Sequence, residues 1–387
     1  MDDPILFTLF VIFSGAAVAA TLGLFARQSL LVIYILIGVA AGPWGLGLVA
    51  EPELVSRLSE VGVLFLLYLL GLNLHPQRLF GMLREAMLVA AASSVAFAGL
   101  AVLLAHLLGF NYQEALVIGA AAMFSSTIVA LKLMPTLELH HQHAGEVIIA
   151  VLLLQDVIAI LILLLLKALG GGEFVPALAR LGMALPFLGL LAYAGARWVL
   201  VPLFGRFDTI REYLFLMSLG WCLGMAQLAG FLGLPAEVGA FIGGVALATH
   251  PVAAYIAESL KPLRDFFLVM FFFSLGAGFD LPLAREVWWE ALLFAAALLL
   301  FKPLVFRLLL GASAETAGLS WEVGVRLGQL SEFSLFIAFL AVQAGIISPH
   351  ASVTIQIATL ASFLVSSYLV MWFYPTPIAV SARLRQD

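Results

Sequence analysis

The residues from Val147 to Leu166 form a twenty-residue apolar run that only Gln155 and Asp156 interrupt. At roughly 1.5 Å of rise per residue, a helix of this length crosses the hydrocarbon core of a bilayer. The run therefore predicts a membrane-spanning helix. Asp156 falls near its middle, where an acid costs at least ~2.5 kcal/mol to insert and usually faces a cavity or a partner. Such a residue marks a candidate path for an ion or a proton.

The rest of the chain shares this apolar character. Of its 387 residues, 64% are hydrophobic and only 11% are charged, whereas soluble domains carry about 25% charge. The mean hydropathy is +1.13. These values predict an all-α polytopic membrane protein with the lipid bilayer as its surroundings, because the residue alternation of a membrane barrel is absent. No basic run is present, so we expect no nucleic-acid partner.

Thirteen apolar segments follow one another along the chain, and we interpret each as a transmembrane helix. These spans are 5–24, 29–48, 59–74, 86–108, 113–134, 144–168, 176–201, 211–232, 236–254, 262–280, 286–310, 320–346 and 349–373. Residues 1–387 would then form a single membrane transport domain.

Lys and Arg are distributed unequally between the two sets of loops. If the N-terminus lies outside, twelve of the eighteen basic residues fall in inside loops and four in outside loops. Cytoplasmic loops carry the excess of Lys and Arg. We therefore expect a multi-pass protein of the cell (inner) membrane, with its N-terminus outside and its C-terminus in the cytoplasm.

Several short motifs recur at an offset of 205 residues. Ile37-Gly38 returns as Ile242-Gly243, and Ser126 returns as Ser331. Seven spans separate the members of each pair, so the two copies have opposite orientations, as in the inverted repeats of secondary transporters. The predicted parts are a first six-helix repeat at 5–168, a linker helix at 176–201 and a second six-helix repeat at 211–373.

Polar residues inside two of the spans predict broken helices, which lie at equivalent places in the two repeats. Span 5 contains the polar run Phe124–Thr127, and span 12 contains Gly328–Glu332. Broken helices that cross near the midplane expose carbonyls to a cation and helix N-termini to an anion. The residues expected to support these two breaks are Ser125, Gln329, Ser331 and Glu332.

Asp156 is the residue that we expect to bind the proton or the metal cation, K⁺ or Na⁺. Thr127 and Ser126, with carbonyls of the first break, would complete the cation shell. Gln155 can only form hydrogen bonds and leaves Asp156 as the single titrating acid of the apolar run Val147–Leu166. One acid that exchanges one monovalent cation for one proton moves no net charge, so electroneutral exchange is expected.

Lys302 lies deep in span 11, within the run ALLLFKPLVFRLLL. A buried ammonium requires a partner, and we expect it to be the counter-charge of Asp156. The alternative is that its long side chain extends to the cytoplasmic face near Arg307. Glu332 has two possible roles, as a partner of Arg326 or as a ligand at a broken helix end.

At these residues the chain resembles the cation/proton antiporter superfamily, and most closely the membrane domain of Kef-type potassium efflux proteins. The matching stretches are Gly42–Leu46, Ser125–Thr127, Val151–Asp156, Gly328–Phe333 and Lys302. The resemblance implies the sodium/proton antiporter-like fold, with a core of spans 4–6 and 11–13 and a panel of spans 1–3 and 8–10. It also implies a homodimer formed through the panel, an elevator-like motion of the core, and ion binding at the acid of the Gln-Asp pair.

Kef-type proteins carry a cytoplasmic nucleotide-binding regulatory domain after the last span. This chain ends at Asp387, about a dozen residues past span 13. We expect no such domain within these residues, whether the chain is a shortened form or a natural version without it. A regulatory domain of this kind would then be a partner from outside this chain.

The expected function is monovalent cation/proton antiport of the Kef-like potassium efflux kind, with K⁺ favoured over Na⁺. The substrates would be K⁺ (or Na⁺) and H⁺, with no further cofactor and no enzymatic activity. The alternatives are a Na⁺/H⁺ antiporter, a gated cation channel and a sodium-coupled organic anion carrier that uses Lys302. An intramembrane hydrolase is disfavoured, because the apolar run of span 6 offers one acid and no Ser/His pairing completes a site.

Overall fold

The structure is a computed structural model, and it is all-helical. It describes residues 4–26, 30–49, 52–73, 76–134, 143–170, 174–207, 209–234 and 236–376.

The helices of the first half are α1 (Pro4–Phe25), α2 (Leu30–Ala41), α3 (Pro52–Asn73), α4 (Pro76–Leu107), α5 (Tyr112–Ala122), α6 (Thr127–Lys132) and α7 (His143–Gly170). Those of the second half are α8 (Phe174–Gly195), which continues through a π-helical turn (Ala196–Leu200) into α9 (Val201–Arg206), α10 (Arg211–Phe231), α11 (Ala236–Leu247), α12 (Val252–Ala277), α13 (Leu281–Ala312), α14 (Ala317–Arg326), α15 (Glu332–Gln343) and α16 (Pro349–Phe373).

Seven helices within the described residues are long and apolar enough to cross a membrane. Three shorter apolar helices lie at Val32–Ala41, Ala236–Leu247 and Glu332–Gln343. The multi-pass architecture agrees with the sequence, and the count of thirteen spans stays a prediction. Some helices extend beyond their apolar segments: α12 begins at Val252, ten residues before the predicted span at 262–280, because hydropathy marks only the part of a helix that lipid covers.

Two compact units divide the chain. The first comprises Met1–Val18, Tyr34–Gly81 and Lys167–Gly278, and the second comprises Ala19–Ile33, Met82–Leu166 and Phe279–Asp387. The second unit holds the spans 4–6 and 11–13 that the resemblance assigns to the core. Its interior includes Phe97 of α4, Val151 of α7 and Phe306 of α13, all buried, and the rings of Phe97 and Phe306 lie 5.5 Å apart at their centroids.

In the first unit, α3 and α11 approach each other through glycines. A Cβ atom added to Gly71 would lie 2.3 Å from the carbonyl oxygen of Phe241, and one added to Gly244 would lie 2.2 Å from that of Tyr68. Small residues allow the two backbones to approach closely. In a bilayer the hydrophobic effect does not drive helices together, so close van der Waals packing of this kind stabilises their association. These two glycines therefore set the distance between the two helices.

Gly71→Ala is expected to lower the free energy of unfolding by about 1–3 kcal/mol, because the added methyl group forces α3 away from the backbone of α11. Chemical denaturation in detergent measures this change. The control is Gly224→Ala on α10, where an added Cβ meets no atom within 4 Å. Equal stability of the two variants would contradict the close approach of α3 and α11.

Candidate functional site

The first break separates α5 from α6 inside the second unit. Residues 124–126 are not helical, and the hydroxyl of Ser126 caps α6 by accepting from the Val129 amide at 3.0 Å. The Ser126 carbonyl accepts the helical bond from the Ala130 amide at 3.1 Å. The sequence placed this break at Phe124–Thr127, and Thr127 is instead the first residue of α6. A serine cap thus restarts the helix after an interruption of a few residues.

The second break separates α14 from α15 in the same unit. Ser331 is the N-cap of α15, and its hydroxyl accepts from the Phe333 amide at 3.2 Å. The Ser334 hydroxyl accepts from the Ser331 amide at 3.2 Å. Glu332, which is 6% exposed, is the first residue of α15. Its negative charge suits the positive end of that half-helix.

The two breaks are bonded directly to each other. The hydroxyl of Ser125 donates to the carbonyl of Leu327 at 2.7 Å. The side-chain amide of Gln329 donates to the carbonyl of Ser126 at 3.4 Å. Ser334 of α15 also donates to the carbonyl of Ala121, at the end of α5. The two serine hydroxyls and the Gln329 amide therefore donate to backbone carbonyls at the ends of the interrupted helices.

Asp156 lies beside the first break and is 1% exposed. The hydroxyl of Thr127 donates to its carboxylate, with Oγ1 3.2 Å from Oδ2 and 3.5 Å from Oδ1. One hydroxyl leaves most of the acceptor capacity of a carboxylate unused. The arrangement places a buried acid next to the first turn of α6, where a cation or a proton can bind it.

Gln155 holds the break through its side-chain oxygen. Its Oε1 atom accepts from the backbone amide of Ser125 at 3.0 Å, and the residue is fully buried. This bond fixes the orientation of the amide, because turning it over would point an N–H group at the Ser125 amide. The Nε2 atom of Gln155 has no hydrogen-bond partner in the described part of the chain.

Lys302 is fully buried, and its ammonium contacts both breaks. It donates to the carbonyl of Phe124 at 2.6 Å and to that of Gln329 at 3.0 Å. It lies 3.5 Å from the Ser125 hydroxyl and 4.9 Å from the ring centroid of Phe97. The ammonium therefore joins carbonyls from two non-helical segments.

This geometry corrects the expected ion pair between Lys302 and Asp156. Both residues are described, and no ion pair joins them; the hydrogen-bond partners of the ammonium are the carbonyls and the serine hydroxyl. The physical reason is that each break leaves carbonyls without helical donors, and charge-assisted hydrogen bonds to them replace a carboxylate partner. The alternative of a side chain that extends to the cytoplasmic face is also excluded, because the ammonium is buried between the breaks.

Arg326 ends α14 and is 1% exposed. Its ion pair is with Glu322 at 2.9 Å, and it also donates to the carbonyls of Leu133 at 3.1 Å and Pro375 at 2.9 Å. Glu332 lies at a broken helix end, as the first residue of α15.

Helix α16 contributes two residues that the sequence analysis did not single out. The hydroxyl of Ser366 donates to Oε1 of Gln329 at 2.9 Å, and that of Ser362 accepts from the Leu330 amide at 3.0 Å. Serines within a long apolar helix look like ordinary packing residues. The one feature of the sequence that indicates a shared role is their separation by four residues, which places both serines on one face of the helix.

Comparison with known proteins identifies relatives over nearly the whole chain. The family described as "Sodium/hydrogen exchanger, transmembrane" matches residues 8–374. The chain is 30% identical over 344 residues to the iron transporter MagA of Paramagnetospirillum magneticum (strain ATCC 700264 / AMB-1), a match that covers 88% of this chain and 79% of that protein.

A solved structure shares the fold. The sodium proton antiporter MjNhaP1 from Methanocaldococcus jannaschii superimposes with a TM-score of 0.70, over 94% of this chain and 95% of that one. The two sequences are 17% identical, so this similarity concerns the fold alone. The multi-pass membrane architecture read from the sequence is thus shared with a solved transporter.

Proposed function

Since this chain belongs to the sodium/hydrogen exchanger family of monovalent cation/proton antiporters, we propose that it exchanges K⁺ or Na⁺ for H⁺ at Asp156. The observation that carries the proposal is the contact between this buried carboxylate and Thr127, beside a broken helix. The negative charge of Asp156 attracts a cation or a proton, and binding of one neutralises the charge that would bind the other. Competition for one carboxylate is the physical basis of exchange.

The ligand set is made of oxygen atoms, which suits alkali cations. The Asp156 carboxylate and the Thr127 hydroxyl are already in place, and carbonyls of the break complete the proposed shell. The Ser126 hydroxyl accepts the cap bond, and the Ser126 carbonyl accepts bonds from Ala130 and Gln329. Ser126 is therefore better suited to shaping this shell than to supplying a free ligand.

Lys302 and Gln155 have supporting roles in this proposal. Lys302 neutralises the carbonyl ends at the two breaks, and Gln155 holds the Ser125 amide. Neither side chain places a second acid beside Asp156. With Asp156 alone carrying the exchanged ion, one cation replaces one proton, and the cycle moves no net charge.

K⁺ is proposed as the preferred cation, on the resemblance of the Gln-Asp and Gly-Gln-x-x-Glu-Phe stretches to Kef-type proteins. The names of the relatives offer two other cations, sodium for MjNhaP1 and iron for MagA. A carboxylate, a hydroxyl and carbonyls are hard ligands that do not by themselves separate K⁺ from Na⁺. Selectivity is therefore the part of the proposal that requires measurement.

The inverted repeat is also proposed, and the helix boundaries support it. Helix α4 begins at Pro76 and α13 at Leu281, 205 positions later. The same offset relates the starts of α5 and α14 at Tyr112 and Ala317, and of α6 and α15 at Thr127 and Glu332. The offset of 205 residues that was found from short sequence motifs thus also relates the starts of three pairs of helices.

Three further properties complete the proposal. We place the chain in the cell (inner) membrane with its C-terminus in the cytoplasm, as the Lys and Arg distribution indicates. We also propose a homodimer through the panel helices. In the transport cycle, the unit that holds Asp156 moves to open the site to each side in turn.

Proteoliposomes with an internal pH indicator test this function. Addition of K⁺, Na⁺, Rb⁺ or Li⁺ in turn is expected to dissipate an imposed pH gradient, with K⁺ the most effective. Fe²⁺-driven dissipation without a response to any monovalent cation would contradict the proposal. Unitary currents would indicate a channel instead, and competition by organic anions would indicate an anion carrier.

A further inference from the structure

Three elements of the second unit meet at the side chain of Gln329. Gln329 lies in the second break and is fully buried, and Ser366 of α16 is 1% exposed. The Ser366 hydroxyl donates to Oε1 of Gln329 at 2.9 Å, and Nε2 of Gln329 donates to the Ser126 carbonyl at 3.4 Å. A chain of two hydrogen bonds therefore runs from α16 through the second break to the first.

The end of this chain lies next to the proposed cation ligands. Ser126 directly precedes Thr127, whose hydroxyl contacts Asp156. Ser126 and Thr127 share a peptide bond, so a movement of the Ser126 carbonyl can shift Thr127 relative to the carboxylate. The backbone carbonyl of Gln329 also accepts from Lys302, so the backbone of this residue has its own anchor, while its side chain depends on Ser366.

A side-chain amide has an oxygen end and a nitrogen end that differ little in shape. The Ser366 hydroxyl donates to the oxygen end, and this bond acts together with the bond from Nε2 to the Ser126 carbonyl to fix the amide. Without that hydroxyl, the oxygen of the Gln329 amide loses this donor, and only the longer bond of 3.4 Å to the Ser126 carbonyl holds the amide. The Ser126–Thr127 backbone is then held less rigidly against Asp156, and a site must be held rigidly to discriminate ions of similar charge.

We propose that Ser366 is a positioning residue for cation selection, which acts on the ion site through the Gln329 amide. The proposal rests on cation/proton exchange at Asp156. It adds a role for a helix that contributes no ligand to the site. A neutral, buried hydrogen bond of this kind is consistent with an effect of about three- to tenfold on apparent affinity.

Ser366→Ala is expected to raise the KM for the preferred cation about three- to tenfold, with kcat changed less than about twofold. The ratios of KM among Li⁺, Na⁺, K⁺ and Rb⁺ are expected to move toward one, because a less rigid shell discriminates less by ionic radius. Ser366→Thr keeps the hydroxyl and is expected to have the wild-type KM and the wild-type cation ratios. If Ser366→Ala does not fold, Ser366→Cys, with its weak thiol donor, takes its place with the same expected direction.

The neighbouring serine is the matched control. Ser367 is equally buried, but its hydroxyl donates to the Phe363 carbonyl of its own helix at 2.7 Å. Ser367→Ala is expected to leave KM and the cation ratios unchanged. Equal changes in the Ser366 and Ser367 variants would overturn the proposal, as would a wild-type KM and wild-type cation ratios in Ser366→Ala.

A double-mutant cycle with Gln329→Met isolates the route of action. If Ser366 acts through the amide, Ser366→Ala has no further effect on KM once the amide is absent. Additive effects in the double variant would overturn the proposed route. Absence of exchange by the wild-type protein is a different result, because it contradicts the proposed function before any Ser366 variant is measured.

Discussion

Asp156→Asn is expected to reduce cation-driven proton exchange to the rate of liposomes without protein. The amide removes the negative charge that attracts the cation and the group that carries the proton. Asparagine keeps the size of the side chain and an oxygen that can accept from the Thr127 hydroxyl. In the wild-type structure that hydroxyl lies 3.2 Å from Oδ2 of Asp156. The free energy of unfolding is therefore expected to change by less than about 1 kcal/mol.

The matched control is Asp280→Asn. Asp280 caps α13, and its Oδ1 accepts from the Leu283 amide at 3.0 Å. Asn is an equally good N-cap. The Asp280→Asn variant therefore loses one carboxylate, and both the start of α13 and the transport activity are expected to be retained. Wild-type exchange in Asp156→Asn would contradict the site, and equal loss in both variants would show that the effect is not specific to Asp156.

Lys302→Met is expected to lower the free energy of unfolding by about 3–5 kcal/mol, the largest stability effect among these predictions. The substitution leaves the carbonyls of Phe124 and Gln329 buried without their charged donor. Exchange is expected to fall together with stability, since both breaks depend on this ammonium. Denaturation in detergent and transport in liposomes measure the two effects.

Lys261→Met is the control for the loss of a lysine charge. Its side chain is 55% exposed and lies 3.9 Å from Glu258, and exposed pairs contribute only about 0–1 kcal/mol. The double variant Asp156→Asn, Lys302→Met tests the corrected pairing. If the double variant regained the free energy of unfolding that Lys302→Met loses, Asp156 would be the partner of Lys302 after all. The structure predicts that the double variant does not regain it.

The positions of the breaks could be predicted from the sequence. Clusters of serine, threonine, glycine and glutamine are unusual inside apolar spans, and the observed breaks lie within a few residues of Phe124–Thr127 and Gly328–Glu332. Asp156 and Gln155 could be placed near the first break for a related reason. A buried acid and a buried amide require polar neighbours, and the break supplies them.

The partner of Lys302 could not be predicted from the sequence in the same way. Charge complementarity favoured Asp156, because carboxylates are visible in a sequence whereas unpaired backbone carbonyls are not. Only the fold shows that Lys302 of α13 lies against the carbonyls of Phe124 and Gln329. Ser366 was missed for a similar reason, since its role depends on which neighbour its hydroxyl contacts.

The ratio of cations to protons moved by the wild-type protein tests the central claim most directly. Proteoliposomes report both fluxes at zero membrane potential and at a potential imposed by an ionophore for an ion that the protein does not carry. Exchange at Asp156 alone predicts a ratio of one and the same rate at both potentials. A ratio that differs from one, or a rate that follows the potential, would contradict one-for-one exchange at this carboxylate.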